Sequence, residues 1–462
     1  MRKPANKSNG IAKDDARRNG VVESAGSGEP ARIEKPAKAA GKAAGKGRAG
    51  GKAPARSAGK PGAADTASKP RELRFLLPPK PRQISSWQLP SAIPPTVEFD
   101  VSPGVAFGTT PVSSLERFEE AHGIVMGEGV TVAVLDSGCF TGHRDFQPSD
   151  QRIAATVDCT IDPPGTDTTD VLGHGTHVAG ALAASGVHLG VAPACRILPV
   201  KIMKGTDDDN GSGIGPAMAR GLNWVVDNAN AFGITVVCLS VGDDENYADD
   251  ANFADNPVTL AIQALAALNI PVVVAAGNLY GKFSTKTAAA EGMCFPAIIR
   301  QAVSVGAVYD EPCNNADPDR SCVLGSEYGN TFTLSSAPDQ LAIYSQRMEK
   351  AASGACGTTV FATGSWVTAT GIGDDAGSSI VQGTSEAAPI VAGVIALLQS
   401  LNLKQTGESR PDVGKLVRII TQSAQVIRDD SSVTNRKVTG KRFLRVDALA
   451  AVQQLQQELA VG

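Results

Sequence analysis

Four short runs of mostly apolar, β-branched residues constrain the fold of this 462-residue chain most strongly. The first, residues 130–135, is continuous rather than alternating, which is typical of a strand buried on both faces. Helical patterns separate the runs, and such alternation predicts a mostly parallel sheet with helices on both faces, an α/β fold. The predicted strands are 130–135, 197–202, 234–240 and 271–276, and the predicted helices between them include 218–228 and 257–267.

A glycine turn leads into a long apolar helix late in the chain, in the stretch Gly383-Thr384-Ser385-Glu386-Ala387-Ala388-Pro389. Ser385 is expected at the start of that helix, where unpaired N–H groups and the helix dipole favour negative charge. A serine that becomes acylated beside a developing oxyanion benefits from such a place. Taken alone, however, the stretch favours the simpler interpretation that Ser385 only caps the helix.

Two further polar residues precede Ser385 at positions that suit catalysis. Asp136 ends the predicted strand 130–135, at the sheet edge where open α/β folds place their active sites. His174 lies in a glycine turn that enters another helix. Asp, His and Ser therefore follow one another in the order found in subtilisin. The segments around these three residues, together with Ala275-Ala276-Gly277-Asn278, resemble the signatures of the subtilisin-like serine proteases over residues 125–455.

The resemblance implies a three-layer αβα fold and a serine endopeptidase that cuts internal peptide bonds through an acyl-enzyme. His174 would then be the base for Ser385, Asp136 would orient the imidazole, and Asn278 with the Ser385 N–H would hold the oxyanion. Taken singly, Asp136 and Asn278 can be turn residues and His174 a helix cap. The alternative function is a catalytically silent module that keeps the groove and only binds peptides, and the complete set of four residues argues against it.

Three features depart from the family pattern. Glu386 follows the nucleophile where subtilisins usually carry methionine, and Ile390 replaces the usual histidine in the helix. The segment upstream of the domain does not resemble the compact prodomain of secreted relatives. If Glu386 faces the site, its carboxylate favours the imidazolium form of His174. The alternative is that Glu386 points away and is simply stabilised by the helix dipole in the first turn. His177 is interpreted as a packed neighbour of the site.

The resemblance extends to the substrate groove. Residues 209–213 resemble the edge that pairs with the peptide as an added strand, residues 240–242 the opposite edge, and residues 275–277 a pocket wall. Cys294 is expected near the pocket floor. The alternative for the glycines is that they only form turns. The predicted substrate-binding residues are Gly211, Ser212, Gly213, Ser240, Val241, Gly242, Ala276 and Gly277.

Charge is distributed unevenly along the chain, although its net value is only −4. Residues 1–90 hold 20 basic and 7 acidic residues. Their Ala/Gly/Lys/Pro-rich sequence predicts a disordered basic arm over 1–80, because it has too few apolar residues for a core. A proline-rich extended lead-in over 81–124 and the peptidase domain over 125–462 follow. A solvated tail is the simpler interpretation of the arm; weak contact with nucleic acid or acidic surfaces is the alternative.

Residues 1–20 lack the apolar core of a secretory signal, and no stretch is expected to approach the roughly 20 apolar residues of a membrane span. We therefore expect a cytoplasmic protein, with secretion as the alternative. It is also expected to be a monomer that acts on proteins or peptides. The chemistry needs no cofactor, and no metal ligand set is recognised. Structural calcium is an alternative use of the acidic loops 207–209 and 374–375, which are more typical of solvated loops.

The eight cysteines contain no CxxC pair, which argues against a zinc site. Cys195 and Cys238 are predicted to be buried thiols. The four cysteines that fall in loop-rich sequence could form disulfides; they are Cys294, Cys313, Cys322 and Cys356. After the Ser385 helix, an amphipathic helix is predicted over 412–427 and a last helix from 446 onward.

Overall fold

The computed structural model of the protein describes residues 73–84, 110–206, 210–316, 320–350, 354–430 and 434–461. The predicted arm over 1–80 lies outside these residues except for 73–80, and so does the acidic loop 207–209. Within the last residues of that arm, Phe75 is buried against the domain. The folded part of the chain therefore begins before the predicted boundary at residue 80.

The strands and helices follow one another as expected for an α/β domain. The strands are β1 (Arg82–Ile84), β2 (Thr110–Pro111), β3 (Thr131–Asp136), β4 (Val157–Asp158), β5 (His188–Leu189), β6 (Arg196–Lys201), β7 (Ile234–Leu239), β8 (Val272–Ala275), β9 (Val303–Val308), β10 (Val360–Thr363), β11 (Val367–Thr370), β12 (Ser378–Val381), β13 (Gln425–Arg428) and β14 (Arg442–Arg445). The helices are α1 (Phe118–Ala121), α2 (Ser149–Arg152), α3 (His174–Ala183), α4 (Ile214–Asn228), α5 (Pro257–Ala267), α6 (Tyr280–Phe283), α7 (Thr384–Thr406), α8 (Val413–Gln422) and α9 (Ala448–Val461).

A nine-stranded sheet forms the centre of the domain, in the order β13-β14-β10-β9-β8-β7-β3-β6-β4. All its neighbouring strands pair in parallel except β13 and β14. The four strands predicted from the sequence are β3, β6, β7 and β8, which lie side by side. The predicted α/β class with a mostly parallel sheet is confirmed. An antiparallel sheet β1-β12-β11 and a parallel pair β2-β5 lie apart from it.

The core has two layers, one on each face of the sheet. Along β3, Val132 and Val134 join the layer that contains α3 and α7, whereas Ala133 and Leu135 join the layer that contains α4 and α5. Because successive side chains of a strand point to opposite faces, a strand that is apolar throughout supplies both layers. This explains why the predicted strands were continuous apolar runs.

Helix α7 runs through the interior and is buried from Thr384 to Asn402. Among the described residues it is the one helix with the length and hydropathy of a membrane span, but 94% of the relevant window is buried inside the domain. The expectation that no stretch would approach such a length is therefore wrong. The helix ends at Thr406, and the Gly407 that follows takes the left-handed conformation (φ 80°) that favours glycine at this position.

Two other predictions are corrected. The helix predicted over 412–427 ends at Gln422, because residues 425–428 form strand β13 and pair antiparallel with β14. All eight cysteines are free thiols, so no disulfide joins the four that were open to pairing. Cys195 and Cys238 are buried, as predicted.

Candidate active site

Asp136 and His174 meet where strand β3 ends and helix α3 begins. The Oδ1 atom of Asp136 lies 2.7 Å from Nδ1 of His174 and also accepts the backbone N–H of Ser137. Burial alone lowers the pKa of His174, but the neighbouring Asp136 carboxylate, with a smaller contribution from Glu386, raises it to about 9. The imidazole is therefore held in one orientation with its Nε2 atom directed away from Asp136.

Asp170 fixes the start of α3, although the sequence analysis did not single it out. Its two carboxylate oxygens accept the N–H of Gly173 at 2.8 Å and the N–H of Thr176 at 2.8 Å. One of them also accepts the hydroxyl of Ser137, which in turn accepts the N–H of Gly175. An aspartate just before a glycine turn is a recognisable capping signal. It ties the end of β3 to the His174 helix.

Ser385 lies in the first turn of α7, and Pro389 shapes its surroundings. Proline has no N–H, so the carbonyl of Ser385 lacks its usual partner four residues ahead in the helix. That carbonyl instead accepts the hydroxyl of Ser240 at 2.8 Å, while the Ser385 hydroxyl donates to the carbonyl of Ser240 at 3.2 Å. The nucleophile candidate is thereby fastened to the end of β7. Among the described contacts, no hydrogen bond joins Ser385 to His174.

Asn278 follows strand β8 and is also fastened to the start of α7. Its Oδ1 atom accepts the backbone N–H of Thr384 at 2.8 Å and the hydroxyl of Thr384 at 2.9 Å. The amide nitrogen Nδ2 points toward Gly383, where an added Cβ would lie 3.0 Å from it. Asn278 Nδ2 therefore lies close to the backbone just before Ser385.

The four predicted catalytic residues thus come together at one edge of the sheet. Asp136 ends β3, Ser240 follows β7 and Asn278 follows β8, and these three strands are neighbours in the sheet. Ser385 is brought to the same edge by its bonds to Ser240, and His174 by its bond to Asp136. Only 1% of His174 and 8% of Ser385 is exposed, so the edge is covered.

Glu386 faces this site rather than solvent. It is fully buried, and its Oε1 atom lies 3.8 Å from Nε2 of His174 and 3.8 Å from Nδ1 of His177. Burial raises the pKa of Glu386 to about 8, against the opposing effect of His174. The sequence marked this residue as a departure from the family, but its orientation follows only from the packing of α7 against α3.

A segment of the chain itself covers part of the predicted substrate groove. Residues 73–84, which we call the strap, run antiparallel to residues 242–244: the N–H of Leu76 donates to the carbonyl of Gly242 at 3.3 Å, and the N–H of Asp244 to the carbonyl of Arg74 at 3.0 Å. A Cβ on Gly211 would lie 2.5 Å from the carbonyl oxygen of Phe75. Gly211 and Gly242, two of the residues predicted to bind substrate, thus flank the strap.

The strap continues toward the His174 helix. Its strand β1 pairs with β12, and the Gln83 side chain accepts the N–H of Ile372 at 2.6 Å. An added Cβ on Gly173, next to His174, would lie 2.8 Å from Nε2 of Gln83. Residues 77–82 therefore run from Gly242, near the hydrogen-bonded pair Ser240 and Ser385, to Gly173, next to His174.

The remaining predicted groove residues lie around the same edge. Val241 is buried between Ser240 and Gly242, and Ser212 and Gly213 lead into α4. Ala276 and Gly277 continue strand β8 toward Asn278, and the N–H of Gly277 donates to the hydroxyl of Thr384. Cys294 lies beneath both walls, since a Cβ on Gly242 or Gly277 would come within 3.2 Å of its Cβ.

No group of three or more His, Cys, Asp or Glu side chains that could hold a metal ion occurs among the described residues. The acidic loop 207–209 lies outside them, and the loop at 374–375 gives no such group.

A parallel αβα sheet with an Asp–His pair and a helix-borne serine at its carboxyl edge is the architecture of a serine hydrolase of the subtilisin type. The chain belongs to the subtilase family, whose model matches residues 127–444. A relative, Subtilisin-like protease 3 of Pseudogymnoascus destructans, is 30% identical over 66% of this chain and 59% of its own length. The Major intracellular serine protease of Bacillus subtilis is 32% identical over 40% of this chain and 52% of its own.

The chain thus spans only about half to three fifths of the length of these relatives. Among solved structures, Sphericase superposes with a TM-score of 0.50 at 22% identity, covering 70% of this chain and 92% of that one. This likeness supports the fold. The predicted resemblance to the subtilisin-like proteases is confirmed by the family match.

Proposed function

We propose that this protein is a serine endopeptidase, which cuts internal peptide bonds through an acyl-enzyme. The observation that carries the proposal is the 2.7 Å contact between Asp136 and His174, formed beside the helix start that bears Ser385. Membership of the subtilase family supports it. All four residues predicted for catalysis are present in the chain, which disfavours the alternative of a silent peptide-binding module.

The chemistry starts with a rotation of the Ser385 hydroxyl from the Ser240 carbonyl to Nε2 of His174. His174 takes the proton as Ser385 Oγ bonds to the substrate carbonyl carbon. The carbonyl oxygen becomes an anion, which Nδ2 of Asn278 and the N–H of Ser385 stabilise. His174 then protonates the leaving amine, the C–N bond breaks, and an acyl-enzyme remains. Water attacks this ester with His174 again as base, which releases the acid and restores Ser385.

The substrate is proposed to bind as an added strand along residues 242–244, in the manner of the strap. Phe75 of the strap is buried among apolar residues that include Ile214, Val241 and Phe295. A peptide with a large apolar side chain upstream of the cut fits the same place. For such a peptide to bind, the strap must leave, because both would use the carbonyl of Gly242.

An unbiased peptide library tests the proposal. The purified protein and its Ser385→Ala variant are incubated with the library, and cut sites are read by mass spectrometry. We expect internal cuts with the wild type, enriched for large apolar residues upstream, and none with the variant. Binding without any cutting by the wild type, at all times and after removal of the strap, would instead support the silent module.

A further inference from the structure

Three unpartnered polar atoms share one buried space beside the candidate active site. They are both carboxyl oxygens of Glu386 and the Nδ1 atom of His177; none has a hydrogen-bond partner among the described residues. Both side chains are fully buried. Buried polar atoms without partners cost free energy, and native proteins rarely keep several together. A proton between Glu386 and His177 would satisfy two of the three.

The other ring nitrogen of His177 shows which partner must supply that proton. Nε2 lies 3.0 Å from the carbonyl oxygen of Val367, which can only accept, so Nε2 carries the hydrogen. Burial lowers the pKa of His177 to about 3, so the ring is neutral and Nδ1 offers a lone pair. A carboxylate facing that lone pair would be repelled. A carboxylic acid would donate to it after a small rotation from the present 3.8 Å.

We propose that Glu386 works as a neutral carboxylic acid, which donates its hydroxyl to Nδ1 of His177, and that loss of this proton switches the peptidase off. The inference rests on the proposed function. Glu386 is then a positioning residue that holds the α3–α7 contact. The raised pKa of His174 includes the attraction of an ionised Glu386, so a neutral Glu386 lowers that pKa and leaves more of the imidazole as the neutral base.

Ionisation of Glu386 harms catalysis because the carboxyl group lies next to the oxyanion donors. A Cβ on Gly383 would lie 2.8 Å from Oε2 of Glu386 and 3.0 Å from Nδ2 of Asn278, so the two groups face the same side of Gly383. A negative charge there competes for the Asn278 amide and repels the developing oxyanion. It also favours the imidazolium form of His174, which cannot act as a base.

The surrounding charges favour the neutral acid. Asp136 on β3 and Asp170 before α3 are acidic, and His174 and His177 face Glu386 from α3. From the segment 320–350, Tyr328 and Tyr344 face it, and burial raises the pKa of both phenols, so they stay neutral. With the proton on Glu386, the cluster of Asp136, His174 and Glu386 holds one buried charge; with the proton on His174 it holds three, at a greater desolvation cost.

The sign of the pH effect follows. The neutral acid is present below the raised pKa of about 8 and is lost as the pH rises through that value. The rate should therefore fall on the alkaline side. Glu386→Gln keeps a neutral side chain whose NH₂ group can donate to His177, so its rate should persist there. The acidic limb should stay in place, since His174 has an uncharged neighbour in both proteins.

The test compares pH profiles of kcat/KM for the wild type, Glu386→Gln and Glu386→Met, the last as a second uncharged variant should the first fold poorly. A matched control is Glu116→Gln, which removes another fully buried carboxyl group, bonded to Ser113 and to the N–H of Thr363. We expect the alkaline limb to disappear in the Glu386 variants, a gain of about tenfold over wild type per pH unit above the midpoint, and to remain in the control. A shift of the acidic limb to lower pH in Glu386→Gln would overturn the inference, because it would reveal a carboxylate.

Infrared difference spectra separate this inference from the proposed function. A protonated carboxyl C=O band should vanish from the wild type between about pH 6 and about pH 10 and be missing from both Glu386 variants. The band requires no catalysis, so a protein that shows it without peptidase activity would refute the proposed function alone. An active protein without the band would refute the role of Glu386 alone.

Discussion

Serine, histidine and aspartate meet twice among the described residues. Besides the candidate site, Nδ1 of His188 lies 2.7 Å from Oδ2 of Asp145, and its Nε2 lies 2.9 Å from Oγ of Ser378. Ser378 belongs to strand β12 rather than to a helix start, and Asp145 also accepts the backbone N–H of His188 and the hydroxyl of Thr370. This second cluster joins loops and strands in the interior. The helix start, the groove and the neighbouring amide donors set Ser385 apart from it.

The role of Asn278 makes a prediction at the residue scale. Asn278→Leu should lower kcat by about 10²–10³ with little change in KM, about 2.7–4 kcal/mol, because the amide meets the oxygen only as it becomes an anion. That magnitude is the one known for subtilisin and is taken over through family membership. Steady-state kinetics and thermal unfolding on the same preparation check it.

A matched control is Thr384→Val, which removes the hydroxyl that Asn278 Oδ1 accepts but leaves Nδ2 in place. It should affect stability more than kcat. A stable Asn278→Leu protein with full kcat would assign the oxyanion role to another donor.

Residues in short local motifs could be predicted from the sequence, and residues that act through packing could not. Asp136, His174, Asn278 and Ser385 each carry their own flanking glycines or apolar runs. The orientation of Glu386 depends on how α7 packs against α3, more than 200 positions away in the chain. The sequence around Glu386 does not specify which distant helix its side chain contacts.

At the scale of elements, the strap occupies the edge of the domain along which the substrate is proposed to bind. Phe75 is the part of the strap with the largest buried side chain; its ring packs against Phe295 at a centroid distance of 6.4 Å and against the backbone of Gly215. Pro78, Pro79 and Pro81 follow, and because proline lacks an N–H and fixes φ, they limit how this part of the chain can pair or be cut.

Phe75→Ala should therefore raise peptidase activity. Removal of a buried phenylalanine costs about 3–5 kcal/mol. Here we expect the cost to weaken docking of the strap and not the folding of the domain. We expect at least about a tenfold increase in kcat/KM for a short peptide, with the thermal unfolding of the domain little changed. Leu76→Ala is the matched control, since Leu76 is 40% exposed and should have little effect. Equal rates in Phe75→Ala and wild type would mean that the strap does not limit access.

Strands that are buried on both faces of the sheet were predicted correctly from the sequence. A strand that is defined by its pairing with a later part of the chain was missed. Strands β3, β6, β7 and β8 are apolar on both faces, as expected of central strands in a parallel sheet that is covered by helices on both sides. The helix predicted over 412–427 stopped early because residues 425–428 pair with β14, a partner that follows them by some fifteen positions. The amphipathic pattern of α8 continues into that strand without a visible break.

At the scale of the molecule, a buried ion pair links distant segments behind the site. Arg347 is fully buried, bonds to Asp429 at 3.1 and 3.0 Å, and lies over the ring of Tyr280. The adjacent Gln346 donates its backbone N–H to the carbonyl of Gly277 at 2.8 Å. The C-terminal part of the chain is thereby connected to the loop that carries Asn278.

Asp429→Ala should destabilise the protein by about 3–5 kcal/mol, because it leaves the buried guanidinium of Arg347 without its counter-charge. Denaturant unfolding measures the loss. Glu458→Ala is the matched control: it breaks the exposed ion pair with Arg418, which should cost about 1 kcal/mol or less. Similar costs for the two variants would contradict the importance given to the buried pair.

The central claim is that His174 activates Ser385, and covalent labelling tests it most directly. A fluorophosphonate probe is applied to the wild type, Phe75→Ala, His174→Ala, Ser385→Ala and Ser378→Ala, and the modified residue is located by mass spectrometry. We expect modification of Ser385 alone, faster in Phe75→Ala, unaffected in Ser378→Ala and abolished in His174→Ala and Ser385→Ala. Undiminished labelling in His174→Ala, or no labelling of Ser385 even in Phe75→Ala, would contradict the account.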